Sequence, residues 1–144
     1  MSTYASLTIY TDGASRGNPG PAAVGIHIVD EMTKETVVDF GDSLGNATNN
    51  VAEYQAVLHA VEWLLAHKTL LAENVQLNFR LDSQLVASQL SGQWKINDAK
   101  LQQIAGEIRE RLCQLPGTYT FGYIPREENT VADTLANHTL DKHS

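Results

Sequence analysis

The stretch Leu7-Thr-Ile-Tyr-Thr-Asp-Gly-Ala-Ser-Arg-Gly-Asn-Pro-Gly20 decides the fold. Residues 7–11 are apolar or β-branched, as a pleated strand requires, and Asp12 closes the run. Gly13, Gly17, Asn18, Pro19 and Gly20 then punctuate the chain. Gly accepts positive φ without penalty and Pro presets φ, so residues 18–20 read as a turn. Residues 22–29 return as a second strand. The result is a hairpin with a single carboxylate, Asp12, at the end of its first strand. The plainest role for an Asp-Gly at a strand end is turn formation, its side chain bonding nearby backbone. What Asp12 signifies therefore depends on what the rest of the chain brings beside it.

Outward from the hairpin, a turn over residues 31–34 leads to a short third strand at 36–41. Residues 41–49, rich in Gly, Ser, Asn and Thr, read as a loop. Residues 50–67 form the strongest helical pattern, with Val57, Ala60, Val61, Leu64 and Leu65 on one stripe. Glu53 falls on that stripe in the first turn, although Asn50 and Glu53 also match a capping box. Residues 74–81 alternate as a strand, and a short helix over 82–90 follows at once. Asp82 thus stands at a strand's C-terminal end and equally at a helix N-cap.

Residues 92–99, with Trp94 and Lys95, connect to a helix at 100–112 carried by Leu101, Ile104, Ala105, Ile108 and Leu112. After Pro116-Gly117, residues 118–124 alternate as a last strand. A polar loop at 125–129 leads into a final helix at 130–140, where Thr130 and Asp133 again have capping-box spacing. Residues 141–144 read as a frayed tail. No repeat, low-complexity segment or linker interrupts the chain, so residues 1–144 are expected to form a single domain.

This order predicts an α/β fold: a five-stranded mixed sheet, three antiparallel strands then two parallel ones, flanked by helices. Right-handed crossovers place the fourth strand beside the first. Asp12 and Asp82 then stand at neighbouring strand ends, where ligand sites of such sheets lie. Glu53, at a helix start, reaches the same edge.

Composition narrows the function. With 144 residues, 42% hydrophobic and 19% charged, the chain suits one globular domain. No run approaches a membrane span and the N-terminus does not read as a signal peptide, so a cytoplasmic setting is expected. Cys113 is alone, which excludes an internal disulfide and paired-cysteine zinc motifs. The five His lack ligand spacing, and the glycines after Asp12 are no P-loop. A net charge of -7 argues against a high-affinity phosphate clamp. It is compatible with metal chemistry, because crowded carboxylates require either protonation or cations. Oxygen ligands alone select hard ions such as magnesium or manganese, and a pair of them suits in-line displacement at phosphorus. The residues by themselves lead to metal-dependent phosphodiester chemistry and leave the substrate open.

Four blocks carry a resemblance: Tyr10-Thr-Asp-Gly-Ala-Ser-Arg-Gly-Asn-Pro-Gly20, Thr48-Asn-Asn-Val-Ala-Glu53, Leu81-Asp-Ser-Gln84 and Asn129-Thr-Val-Ala-Asp-Thr-Leu-Ala136. In this order and spacing the chain resembles type 1 ribonuclease H. The resemblance implies metal-binding catalytic carboxylates at Asp12, Glu53, Asp82 and Asp133, holding two Mg2+ or Mn2+ ions when substrate is bound. It implies hydrolysis of the RNA strand of an RNA–DNA hybrid, leaving 3′-hydroxyl and 5′-phosphate ends. Groups at Gly13, Ser15, Asn18, Asn49, Asn50 and Gln84 would contact 2′-hydroxyls or adjacent phosphates in the shallow minor groove. A hybrid partner, no membrane and a monomeric state are expected.

The chain departs from the family pattern twice. Many members carry a mobile His in the loop before the last helix; here that loop is Ile124-Pro-Arg-Glu-Glu-Asn129, and Arg126 is the nearest substitute or else a solvated charge. The basic helix of many bacterial members is also missing between residues 90 and 100, so weak substrate binding is expected and the compact archaeal-like members are the better match. A catalytically silent hybrid- or duplex-binding module of the same fold is the alternative from another class.

Overall fold

The strands pair in the order β3-β2-β1-β4-β5 in a computed structural model that describes residues 3–143. β1 (Tyr4–Ser15), β2 (Gly20–Asp30) and β3 (Thr36–Ala47) are antiparallel; β4 (Leu71–Leu81) runs parallel to β1, and β5 (Thr118–Tyr123) parallel to β4. The mixed five-stranded sheet and the place of the fourth strand beside the first agree with the expected topology. α1 (Asn49–Ala66) packs on β1, β2 and α3 (Ala99–Leu112), while α2 (Gln84–Leu90) packs on β4 and β5. α4 (Thr130–Lys142) lies across β1, β2 and β3 on the opposite face. Single 3-10 turns occupy Lys68–Leu70 and Arg126–Glu128. No helix among the described residues is long and apolar enough to cross a membrane.

The core lies between the sheet and α1 and α3. Leu7, Ile9, Ile26, Ile28, Leu77 and Phe79 meet Val57, Val61, Leu64, Ile104 and Ile108, each no more than 1% exposed. Strand alternation puts the first set on one face, and 3.6-residue periodicity puts the second on matching stripes.

Three expectations need correction. Residues 41–47 are not a loop but the second half of β3, paired from Gly41 opposite Gly25 to Ala47 opposite Gly20. This edge strand is held by its backbone ladder rather than by burial, so its polar composition hid it. The pairing steps from Ala22–Gly45 to Ala23–Ser43, and Gly45 at φ 74° supplies the bulge. Asp12 does not close its strand: β1 runs on to Ser15, with Asp12 opposite Gly25. The tail is helical through Lys142, and Arg16 Nη2 donates to Asp141 Oδ1 at 2.5 Å; Ser144 lies outside the described residues.

Glycines set how near the helices come. A Cβ on Gly25 would stand 2.0 Å from the Ala132 carbonyl oxygen, and one on Gly41, its cross-strand neighbour, 2.2 Å from Thr139 Oγ1. α4 therefore rests directly on the sheet backbone. On the other face a Cβ on Gly13 would lie 2.2 Å from the Ala52 carbonyl, so the first turn of α1 touches β1. Asp12 stands between these two contacts.

Candidate metal centre

The parallel ladder between β1 and β4 ends at Thr11–Leu81, and the residues that follow are Asp12, still within β1, and Asp82, just beyond β4. Glu53 reaches them from the apolar stripe of α1 that also buries Val57 and Ala60. Each of these carboxylates also had a local structural role open to it, and the structure gives those roles to other residues. Thr48, not Asn50, is the N-cap of α1, its Oγ1 accepting from Val51 N at 3.2 Å. Glu53 instead turns Oε1 to the Gly13 N–H at 2.5 Å. Ser83 caps α2 by accepting from Val86 N at 3.2 Å, which releases Asp82 from capping. At α4 the N-cap is Asn129, so Thr130 and Asp133 form no capping box. Asp12 is a buried strand residue, 2% exposed, rather than a turn former.

Asp12, Glu53 and Asp82 each offer a carboxylate oxygen, all within 4.8 Å of one another. Asp133 stands outside this triad, on α4, near enough to Asp12 to contribute to the rise of its carboxyl. Asn137 Nδ2 donates to the Asp133 carbonyl at 3.0 Å and to its Oδ1 at 3.2 Å. Burial, then the charge of Glu53, pushes the Asp12 carboxyl up to about 10. Burial likewise raises Glu53 to about 7, opposed by its hydrogen bonds to Asp12 and Gly13 and by the charge of Arg126. Crowded, desolvated carboxylates must hold protons or take up a cation. The donors are all carboxylate oxygens, with no His or Cys in the cluster, and such a set fits a hard divalent ion.

The other expected residues surround this centre in different ways. The Gly13 N–H is engaged by Glu53. Ser15 Oγ turns inward to the carbonyls of Gly17 and, at 2.7 Å, Ala47, tying the hairpin turn to β3. Asn18 Oδ1 accepts from Asn49 N at 3.0 Å, joining that turn to the start of α1. Asn18, Thr48, Asn49, Asn50, Asp98 and Lys100 line a groove of about 520 Å³. Gln84 is exposed as the first residue of α2, and Arg126 is exposed in the loop before α4. One residue of the centre was given no role of its own in the sequence, standing there as the last residue of a polar loop and the first of the fourth block. Asn129, 1% exposed, donates Nδ2 to Thr11 O and to Asp82 Oδ2, both at 2.9 Å. Its signal in the sequence, an Asn directly before a helix, is the ordinary sign of a cap.

A family model described as reverse transcriptase-like matches residues 10–139. Ribonuclease HI of Halobacterium salinarum is 44% identical over 132 residues, covering 92% of this chain and 63% of that protein. A bifunctional protein of Mycobacterium tuberculosis is 34% identical over 135 residues, covering 94% of this chain and 35% of its own length. The chain thus spans less than two thirds of these relatives. Among solved structures, RNase H1 of Halobacterium salinarum superposes with a TM-score of 0.86 at 41% identity, covering 95% of this chain and 98% of that one. LC11-RNase H1, solved in complex with an RNA/DNA hybrid, gives 0.88 at 36% identity with the same coverage. With the carboxylates of β1, α1 and β4 gathered on this sheet, and with likeness along nearly its whole length, the chain belongs to the type 1 ribonuclease H family.

Proposed function

We propose that this chain hydrolyses the RNA strand of RNA–DNA hybrids, leaving 3′-hydroxyl and 5′-phosphate ends, with Mg2+ or Mn2+ held by Asp12, Glu53 and Asp82 and by the adjoining Asp133. The observation that carries this reading is the convergence of Asp12, Glu53 and Asp82, with the capping roles open to the last two filled by Thr48 and Ser83. The hybrid complex of the similar LC11-RNase H1 supports the substrate. When bound, divalent ions activate water and offset charge on the phosphate and leaving oxygen. The chain's own residues do the rest. Gly13 orients Glu53 through its N–H, and burial on both sides of Asp12 keeps water from screening the site. Asn18, Asn49, Asn50 and Gln84 offer short neutral groups that suit 2′-hydroxyls, by which RNA differs from DNA. Long cations would follow phosphate charge on either strand. Arg126, whose charge already acts on Glu53, serves as the mobile cation of a loop without His.

A silent binding module of the same fold would be free to lose carboxylates, and this chain retains all four. Cleavage assays on a hybrid, on double-stranded RNA and on duplex DNA test the proposal. With Mg2+ or Mn2+ the RNA strand of the hybrid is cut, and EDTA abolishes the reaction. Activity persisting in excess EDTA refutes the metal centre, and equal cutting of duplex DNA refutes the substrate. Arg126→Ala is expected to lower turnover at saturating hybrid; unchanged turnover makes Arg126 a solvated charge.

A further inference from the structure

We infer that Asn129 is a positioning residue of the metal centre, whose neutral amide fixes Asp82 and the β1 backbone at Thr11 so that one Asp82 oxygen stays free for a cation. The inference rests on the proposed reading of the carboxylates as a cation site. Asn129 Nδ2 bridges the Thr11 carbonyl and Asp82 Oδ2, each at 2.9 Å. Both partners are acceptors, so the group facing them is the NH2 side of the amide; the reverse orientation would set oxygen against oxygen. Thr11 and Leu81 form the last pair of the β1–β4 ladder, and Asn129 spans the open end just beyond it. Its own carbonyl accepts from Asp133 N at 3.1 Å. One buried residue therefore links the strand carrying Asp12, the Asp82 carboxylate and the helix start that bears Asp133.

The donor's neutrality is the telling feature. Glu53 is oriented by the Gly13 N–H, Asp133 by the Asn137 amide and Asp82 by the Asn129 amide. A Lys or Arg in these places would orient a carboxylate and also cancel its charge. A neutral N–H holds one oxygen and leaves the negative charge for an incoming ion. Asn129 Oδ1 is meanwhile buried without a partner among the described residues, a cost that a side chain chosen only for packing would avoid. The Asn is thus explained by what its Nδ2 does beside Asp82.

The rival account is that Asn129 merely ties α4 to the sheet. Mn2+ affinity, read by electron paramagnetic resonance of the free ion, and melting in EDTA separate the two. Asn129→Ala should bind Mn2+ about ten- to hundredfold more weakly, as loss of an outer-shell partner does. Asn129→Leu, of similar size and lacking the orphaned oxygen, should do the same, and it serves if the Ala variant does not fold without metal. Leu140→Ala, buried at the far end of α4, should melt lower in EDTA yet keep native Mn2+ affinity. In cleavage assays the Mn2+ concentration for half-maximal rate should rise in the Asn129 variants, with KM for the hybrid unchanged. Mn2+ affinity within twofold of native in the Asn129 variants would overturn the inference. A native protein that takes up no Mn2+ would instead overturn the cation reading itself, and this inference with it.

Discussion

Burial raises Asp12 to about 10 and Glu53 to about 7, where unfolded carboxyls titrate near 4. Between those limits the folded, metal-free protein holds protons that the unfolded chain has released, so stability falls as pH rises. The contribution of these two groups is fully present below about pH 4 and is lost as pH climbs through their raised values. Asp12→Asn keeps the side chain's size and removes the proton uptake that folding otherwise requires at this position. In EDTA at neutral pH this variant should be as stable as the native protein or more so, with a flatter decline toward alkaline pH. On the proposed reading magnesium should bind the folded site and hardly the unfolded chain, adding about 2.7 kcal/mol at a hundredfold excess over Kd. The variant should lose most of that increment along with its activity. Melting both proteins across pH, with EDTA and with magnesium, checks this. A variant clearly less stable in EDTA but equally stabilised by magnesium would make Asp12 a structural residue.

α4 is the element that carries the fourth carboxylate, and its height over the sheet is set by Gly25 and Gly41. Ala at position 25 forces its Cβ into the Ala132 carbonyl at 2.0 Å. Overpacking of this kind costs roughly 1–3 kcal/mol or more, and lifting α4 should also withdraw Asp133 and reduce cleavage. Gly106→Ala offers the opposite sign: it lies exposed in α3 with nothing within 4 Å of an added Cβ. Helix propensity then predicts stabilisation by about 0.5–1 kcal/mol with unchanged activity. Denaturant melts of both variants, read with hybrid cleavage, test the pair. Gly25 was legible only as one residue of a strand, since a mid-strand Gly announces a close approach without saying what approaches. The second half of β3 was unreadable for a related reason. Ser43, Gly45 and Asn46 belong to the strand through β2's backbone, and side-chain patterns do not report that.

For the molecule as a whole, charge should govern how the proposed hybrid substrate is held. The chain has a net charge of -7, and residues 91–98 join α2 to α3 without a helix between them. Few cations then face phosphate, and log K should fall with log salt by only about 0.9 per phosphate neutralised. Titrations of hybrid at several salt concentrations, using Ca2+ in place of Mg2+ to prevent cleavage, should give weak binding and a shallow slope. A Lys-rich helix grafted between Leu90 and Lys100 should tighten binding without changing which strand is cut. A native slope implying six or more phosphates would contradict the reading.

Local pattern determined much of this protein: strand alternation, the apolar stripes of α1 and α3, the turn at Asn18 to Gly20 and the element order that places β4 beside β1. These follow from short-range sterics and burial periodicity, which a sequence carries openly. That Glu53, Asp82 and Asp133 do not cap their own helices was decided only in three dimensions. A carboxylate at a helix start looks the same in sequence whether it caps its own helix or turns to a distant strand. Thr48 and Ser83 take the caps, the Gly13 N–H draws Glu53 away from its own helix, and Asn129 reaches 118 residues back to Thr11. Such bonds join groups far apart in the chain, and only the packed fold selects among the partners that each side chain has within reach.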